Sequence, residues 1–244
     1  MHLSTPHETA YIMTTSTQQT NKNLLRPVDT RLANKWCLSP IWLAETALDS
    51  EFNQQLFKEV FKFYKDIDQD ISTQCDLIEL DAPHFKRLQD VILTSVGEAF
   101  AEFENISRPA SVNDLPFEMC SAWITVMPPG ECYMMHTHPN AILTGTYYLS
   151  TPENSGDLAF IDTQEIAIDP VNGKAKIINV PPKEGNLVFF PAYLMHEVQK
   201  NNSNQVRISM TFDLKMKDSK IKITDKNVAR TVVDNYERFL PKIK

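Results

Sequence analysis

Glycine is scarce in this chain, at 6 of 244 residues. No internal repeat is apparent either, which excludes a repeat architecture. Cysteine is sparse: Cys37, Cys75, Cys120 and Cys132 include no C-x-x-C pair. They read as reduced thiols of a cytoplasmic protein, not as a disulfide framework. Positive charge is also short, with 24 Lys+Arg against 31 Asp+Glu and a net charge of −7. The longest basic fragment, Lys215 to Lys222, is broken by acids and apolar residues. A nucleic-acid binder needs a basic face to neutralise phosphates, so that class is disfavoured. No apolar stretch approaches the length of a membrane span. The N-terminus has neither the basic start nor the apolar run of a secretion signal. The expected partner is a small molecule or a peptide, with no nucleic acid and no membrane; a homo-oligomer is left open.

The length is sufficient for one large β-domain with a core that needs no staples. Residues 1–26 are rich in Thr, Gln, Asn and Ser and read as a flexible leader. From Asp49 the pattern is helical, with Phe52, Leu56, Val60 and Phe63 on one stripe and Asp49 or Ser50 as the cap. A second helix is expected from Pro83 to about Phe103, its apolar face carrying Phe85, Leu88, Ile92 and Val96. From about Phe117 to Leu214 short runs rich in Val, Ile, Phe, Tyr and Thr alternate with Pro and Gly. Strands are expected at Ala122–Met127, Ile142–Leu149, Leu158–Ile161, Lys176–Val180, Asn186–Phe190 and Val206–Leu214. Many short strands at this spacing indicate a sandwich or closed barrel. A last helix is expected at about 225–240, with Val228, Val232, Tyr236 and Leu240 on a stripe. The expected fold is therefore mainly β with flanking helices. A single domain over 27–244 places helical support at about 49–105 and a jelly-roll core at about 117–214.

Three of the six histidines fall in the strand-rich region: His136, His138 and His196. Residues two apart on a strand share a side, so His136-Thr137-His138 converges two imidazoles on one point. Alone, such a pair is better explained by polar residues at a strand edge. His196 changes the balance, because it ends the run Gly185-Asn186-Leu187-Val188-Phe189-Phe190-Pro191-Ala192-Tyr193-Leu194-Met195-His196. Strand, turn and returning strand would bring a third imidazole to the same barrel mouth. Three facial ligands leave open positions on an octahedral metal, which points to catalysis.

Arg207-Ile208-Ser209 follows on the next strand. By alternation Arg207 and Ser209 face inward, while Ile208, Met210 and Phe212 pack outside under the helices. A cation inside a barrel needs an anion. Alone, an ion pair with an Asp or Glu of the barrel accounts for it. Beside three spaced histidines, a bound dicarboxylate held by the planar guanidinium and a serine hydroxyl accounts for it better.

These residues resemble the 2-oxoglutarate- and Fe(II)-dependent oxygenases, which carry an H-x-D/E pair, a distal His and an R-x-S beyond it. The resemblance covers about Phe117 to Leu214 and includes Pro129-Gly130, Tyr133 and Tyr147-Tyr148-Leu149. The run from His136 to Leu149 is similar to a branch of prolyl-hydroxylase-like oxygenases with an H-x-H-P motif. It implies a double-stranded β-helix core, Fe(II) held by His136, His138 and His196, and 2-oxoglutarate as cosubstrate. The C5 carboxylate would be held by Arg207, Ser209 and Tyr148, Tyr148 being preferred to Tyr147 by alternation. Oxidation of a small molecule or peptide by O2 would release succinate and CO2.

Position 138 departs from the pattern, since the superfamily carries a carboxylate there. Asn140 is an alternative third ligand, although an amide oxygen is the poorer donor. Cupins share the fold, and Gly130 with His136-Thr137-His138 fits their first motif. A three-His dioxygenase that does not use 2-oxoglutarate, or a non-catalytic jelly-roll binding protein, therefore stands as the alternative. Arg207-Ile208-Ser209, which a cupin does not require, discriminates between them.

Overall fold

A computed structural model describes residues 12–13, 26–30, 39–66, 77–104, 107, 109–161 and 177–217. The expected helix at about 225–240 and most of the leader lie outside the described residues, as do Cys37 and Cys75.

Helix α1 spans Ser50–Asp66. Asp49 caps it, its Oδ1 accepting from the Phe52 N–H at 2.8 Å and satisfying one amide that the first turn would leave without a partner. Leu56 and Val60 are fully buried, with Phe52 and Phe63 packed beside them. Helix α2 spans Pro83–Glu104, and its opening Pro83 lacks only an N–H that a first-turn residue could not use. The Glu59 carboxylate of α1 accepts from the backbone N–H groups of His84 (3.0 Å) and Phe85 (3.2 Å). One helix thus closes the start of the other. Phe85, Leu88, Ile92 and Val96 are buried, each side chain of this kind contributing about 1.5–3 kcal/mol.

Among the described residues, eleven strands form two antiparallel sheets. Their ranges are β1 Ile12–Met13, β2 Arg26–Thr30, β3 Trp42–Glu45, β4 Phe117–Met127, β5 Tyr133–His136, β6 Leu143–Ser150, β7 Leu158–Ile161, β8 Ile177–Val180, β9 Asn186–Pro191, β10 His196–Val198 and β11 Arg207–Met216. The large sheet has the order β1-β2-β3-β9-β6-β11-β4 and the small one β5-β10-β7-β8. Period-two alternation assigns the faces of the large sheet. Tyr147, Phe189, Met210 and Phe212 turn outward and form one core with both helices. Tyr148, Val188 and Phe190 turn inward and meet Leu158, Phe160 and Val180 of the small sheet. Two such sheets closing on one interior form the double-stranded β-helix.

Gly145 lies in the middle of β6, where an added Cβ would run into the Phe212 ring, the Val188 carbonyl and Cβ of Phe189. Here the backbone itself fills the space that a side chain takes elsewhere in the sheet.

Candidate active site

A cleft of about 540 Å³ opens between the two sheets. On the small sheet His136 ends β5 and His196 begins β10, and the two are cross-strand partners. Their ring centroids are 4.3 Å apart. His138 lies just beyond β5, not on the strand that the H-x-H spacing suggests. The strand stops because Pro139 has no N–H to give and Asn140 turns the chain with φ 72°. The His138 N–H still donates to the Ala192 carbonyl at 2.9 Å, which keeps its imidazole with the others. Its centroid is 5.2 Å from both His136 and His196. One ring nitrogen from each histidine lies within 4.8 Å of the others. Asn140, the alternative ligand, is exposed and does not line the cleft.

The hydrogen bonds around the rings fix their tautomers. His136 Nδ1 lies 2.7 Å from the Met134 carbonyl oxygen and His196 Nδ1 2.8 Å from that of Leu194. A carbonyl only accepts, so both Nδ1 atoms carry the proton and both Nε2 lone pairs are free. His138 Nδ1 lies 2.9 Å from Asp213 Oδ1 and 3.2 Å from Thr144 Oγ1. The Thr144 hydroxyl donates to the Phe212 carbonyl at 3.1 Å, so toward His138 it presents a lone pair. Flanked by two acceptors, this Nδ1 is protonated as well. Burial holds His196 neutral, with its pKa pushed down to about 3, and lowers His136 in the same direction. Three imidazoles whose Nδ1 atoms face acceptors can each offer Nε2, a donor set for a divalent transition metal.

The large sheet supplies the opposite wall. Arg207 and Ser209 line the cleft from β11, and Arg207 is only 1% exposed. Its Nε and Nη1 meet no acceptor, and the hydroxyl of buried Tyr148 meets no partner. The Arg207 guanidinium carbon is 5.2 Å from the Tyr148 ring centroid. Burial pushes the Tyr148 phenol pKa up, against the pull of the Arg207 charge, so it remains a neutral donor. Buried donors without acceptors are costly in isolation and match the two oxygens of a carboxylate. Tyr147 turns the other way and donates to Asn53 Oδ1 at 2.6 Å beneath α1. The residues present therefore fit both Fe(II) and a carboxylate-bearing oxoacid.

Asp213 and Thr144 escape a reading by motif. The signal for Asp213 is present, since Arg207, Ser209, Thr211 and Asp213 form a polar stripe at every second position of β11. Asp213 closes that stripe behind His138.

A protein-family profile described as "Putative 2OG-Fe(II) oxygenase" matches residues 121–213. No curated protein matches the chain. Among solved structures, the non-heme α-ketoglutarate-dependent carbocyclase SnoK from nogalamycin biosynthesis is 14% identical. The match covers 78% of this chain and 85% of that one, with a TM-score of 0.52. The α-ketoglutarate-dependent epimerase SnoN, from the same biosynthesis, is 14% identical over 72% of this chain and 77% of its own, with a TM-score of 0.51. An oxidoreductase of the 2OG-Fe(II) oxygenase family from Burkholderia pseudomallei is 12% identical, with a TM-score of 0.41. That match covers 55% of this chain and 59% of the other. The carbocyclase and the epimerase bear on the fold, and the matched profile on the family. Over residues 121–213 the chain thus resembles the 2-oxoglutarate- and Fe(II)-dependent oxygenases, on a fold shared with the carbocyclase and the epimerase.

Proposed function

We propose that His136, His138 and His196 hold Fe(II) through their Nε2 atoms. Arg207, with Tyr148 and Ser209, holds the C5 carboxylate of 2-oxoglutarate, and the enzyme oxidises a small molecule or a peptide. One observation carries this reading: a single cleft holds three imidazole nitrogens within 4.8 Å of one another and a buried guanidinium with two N–H groups lacking acceptors. A cupin-type dioxygenase that does not use 2-oxoglutarate has no need of that guanidinium.

When bound, Fe(II) and 2-oxoglutarate supply the activation of O2, with succinate and CO2 as by-products. The remaining work belongs to the protein. Arg207 orients the oxoacid by a two-point grip. Met134, Leu194 and Asp213 hold each imidazole with Nε2 inward. Phe190 and Phe160 pack against His196, at 4.7 and 6.0 Å between centroids, and exclude water from that side. Met134, exposed beside His136, and Tyr133 form part of the rim that a substrate meets. No helix among the described residues is long and apolar enough to cross a membrane. A cytoplasmic location rests on the composition alone, with Cys120 and Cys132 outside any disulfide.

Anaerobic calorimetric titration of the iron-loaded protein with 2-oxoglutarate tests the reading. Binding by the wild type and weakened binding by Arg207→Ala, with iron retained, are the expected results. Absence of binding to the wild type, or equal binding by the variant, overturns it. Succinate release against a library of amino acids, peptides and metabolites then identifies the substrate.

A further inference from the structure

The three imidazoles bring no negative charge to the metal, and the cleft adds the cation of Arg207. Yet a carboxylate stands directly behind the cluster. Asp213 is 7% exposed, and its Oδ1 is buried with no hydrogen-bond donor besides the His138 ring at 2.9 Å. Among the described residues, His138 is the only basic side chain paired with it. On the other side, the Trp123 indole stacks on the His138 ring at 5.9 Å and 19°. Thr144 spends its hydroxyl proton on the Phe212 carbonyl. His138 is thus held by face, by edge and by charge, with Nδ1 turned toward Asp213 and Thr144.

We propose that Asp213 is a positioning residue for the metal centre. It keeps His138 Nδ1 protonated and fixes the rotation of the ring. From one shell out, it supplies the negative charge that the neutral donor set lacks. A metal-bound imidazole that donates to a carboxylate is a stronger ligand than a free one. Against the dication, an anion this near lowers the electrostatic cost of the site. A plain structural ion pair, joining β11 to the turn after β5, is the competing explanation. The two differ in the metal-free protein. There a buried carboxylate oxygen with a single partner is a burden, and removing its charge does not weaken the fold.

The inference rests on His138 being a ligand, and the test separates the two claims. Metal-free wild type, Asp213→Asn and His138→Ala are titrated anaerobically with Co(II), whose ligand-field absorption reports the donor set. Each metal-free protein is also melted. Asp213→Asn is expected to bind Co(II) about 10- to 100-fold more weakly, with a shifted absorption and a metal-free melting temperature no lower than wild type. His138→Ala is expected to lose more affinity. Undiminished affinity in Asp213→Asn overturns the proposal, as does a loss matched by a lower metal-free melting temperature. Wild-type affinity in His138→Ala overturns the ligand assignment itself and the role of Asp213 with it.

Discussion

The guanidinium of Arg207 stands 5.2 Å from the ring centre of Tyr148, and both side chains are fully buried. Neither Arg207 Nε and Nη1 nor the Tyr148 hydroxyl has a hydrogen-bond partner. A protein leaves such groups unsatisfied at a cost of about 1–3 kcal/mol each, more when charged. The fold thus carries a penalty that a carboxylate bound there would remove.

Arg207→Met keeps most of the side-chain volume and removes the charge. It is expected to abolish most 2-oxoglutarate binding, since losing a charge-assisted contact of this kind costs about 2–5 kcal/mol. Metal content is expected to stay at the wild-type level. Arg207→Lys recovers part of the affinity, because an ammonium lacks the planar two-point grip. Calorimetry with 2-oxoglutarate, paired with metal analysis, checks all three.

The adjacent tyrosines separate binding from stability. Tyr148→Phe removes a hydroxyl with no partner, so it is expected to weaken 2-oxoglutarate binding and leave the ligand-free melting temperature unchanged or raised. Tyr147→Phe leaves buried Asn53 Oδ1 without its 2.6 Å donor. It is expected to cost about 1–3 kcal/mol of stability and to leave 2-oxoglutarate affinity intact. Urea unfolding and calorimetry on both variants check the pair, and a swapped pattern contradicts the assignment of faces.

Much of this arrangement is legible in the sequence because alternation is a local property. Arg207, Ile208 and Ser209 reveal their faces from their neighbours alone, and so do Tyr147 and Tyr148. The bounds of strands β5 and β10 are not legible. These strands have four and three residues, and β5 exposes Met134 and Met135, so they exist through pairing with each other and, for β10, with β7. The spacing of His136 and His138 suggests one strand. The structure instead reaches the same convergence with a turn, set by Pro139 and the backbone contact to Ala192. Asp213 is hidden for another reason. An acid next to the last residue of the expected strand Val206–Leu214 looks like a solvated end until the histidine in front of it is placed.

Moving the carboxylate inward is informative. His138→Asp beside the native Asp213 sets two anions against each other with no imidazole between them. The double variant His138→Asp with Asp213→Asn removes that repulsion. It is expected to bind divalent metal more tightly than the His138→Asp single variant, as measured by competitive titration against a chelator. Equal affinities would mean that the two positions are not coupled.

Gly145→Ala is expected to destabilise the protein by about 1–3 kcal/mol through overpacking. The added methyl meets the Phe212 ring and the backbone of β9 at once. Chemical denaturation measures the loss directly.

The machinery is divided between the layers. His136 and His196 belong to the small sheet, while Arg207, Ser209 and Tyr148 belong to the large one. Iron held on one side and an oxoacid gripped from the other would act as rivets across the interior. Whatever binds only the folded chain adds about 1.4 kcal/mol for each tenfold rise above its dissociation constant. On that reading the thermal endurance of this protein would be a gauge of supply: starved of iron or of oxoacid, the barrel would loosen and become the better target for proteolysis.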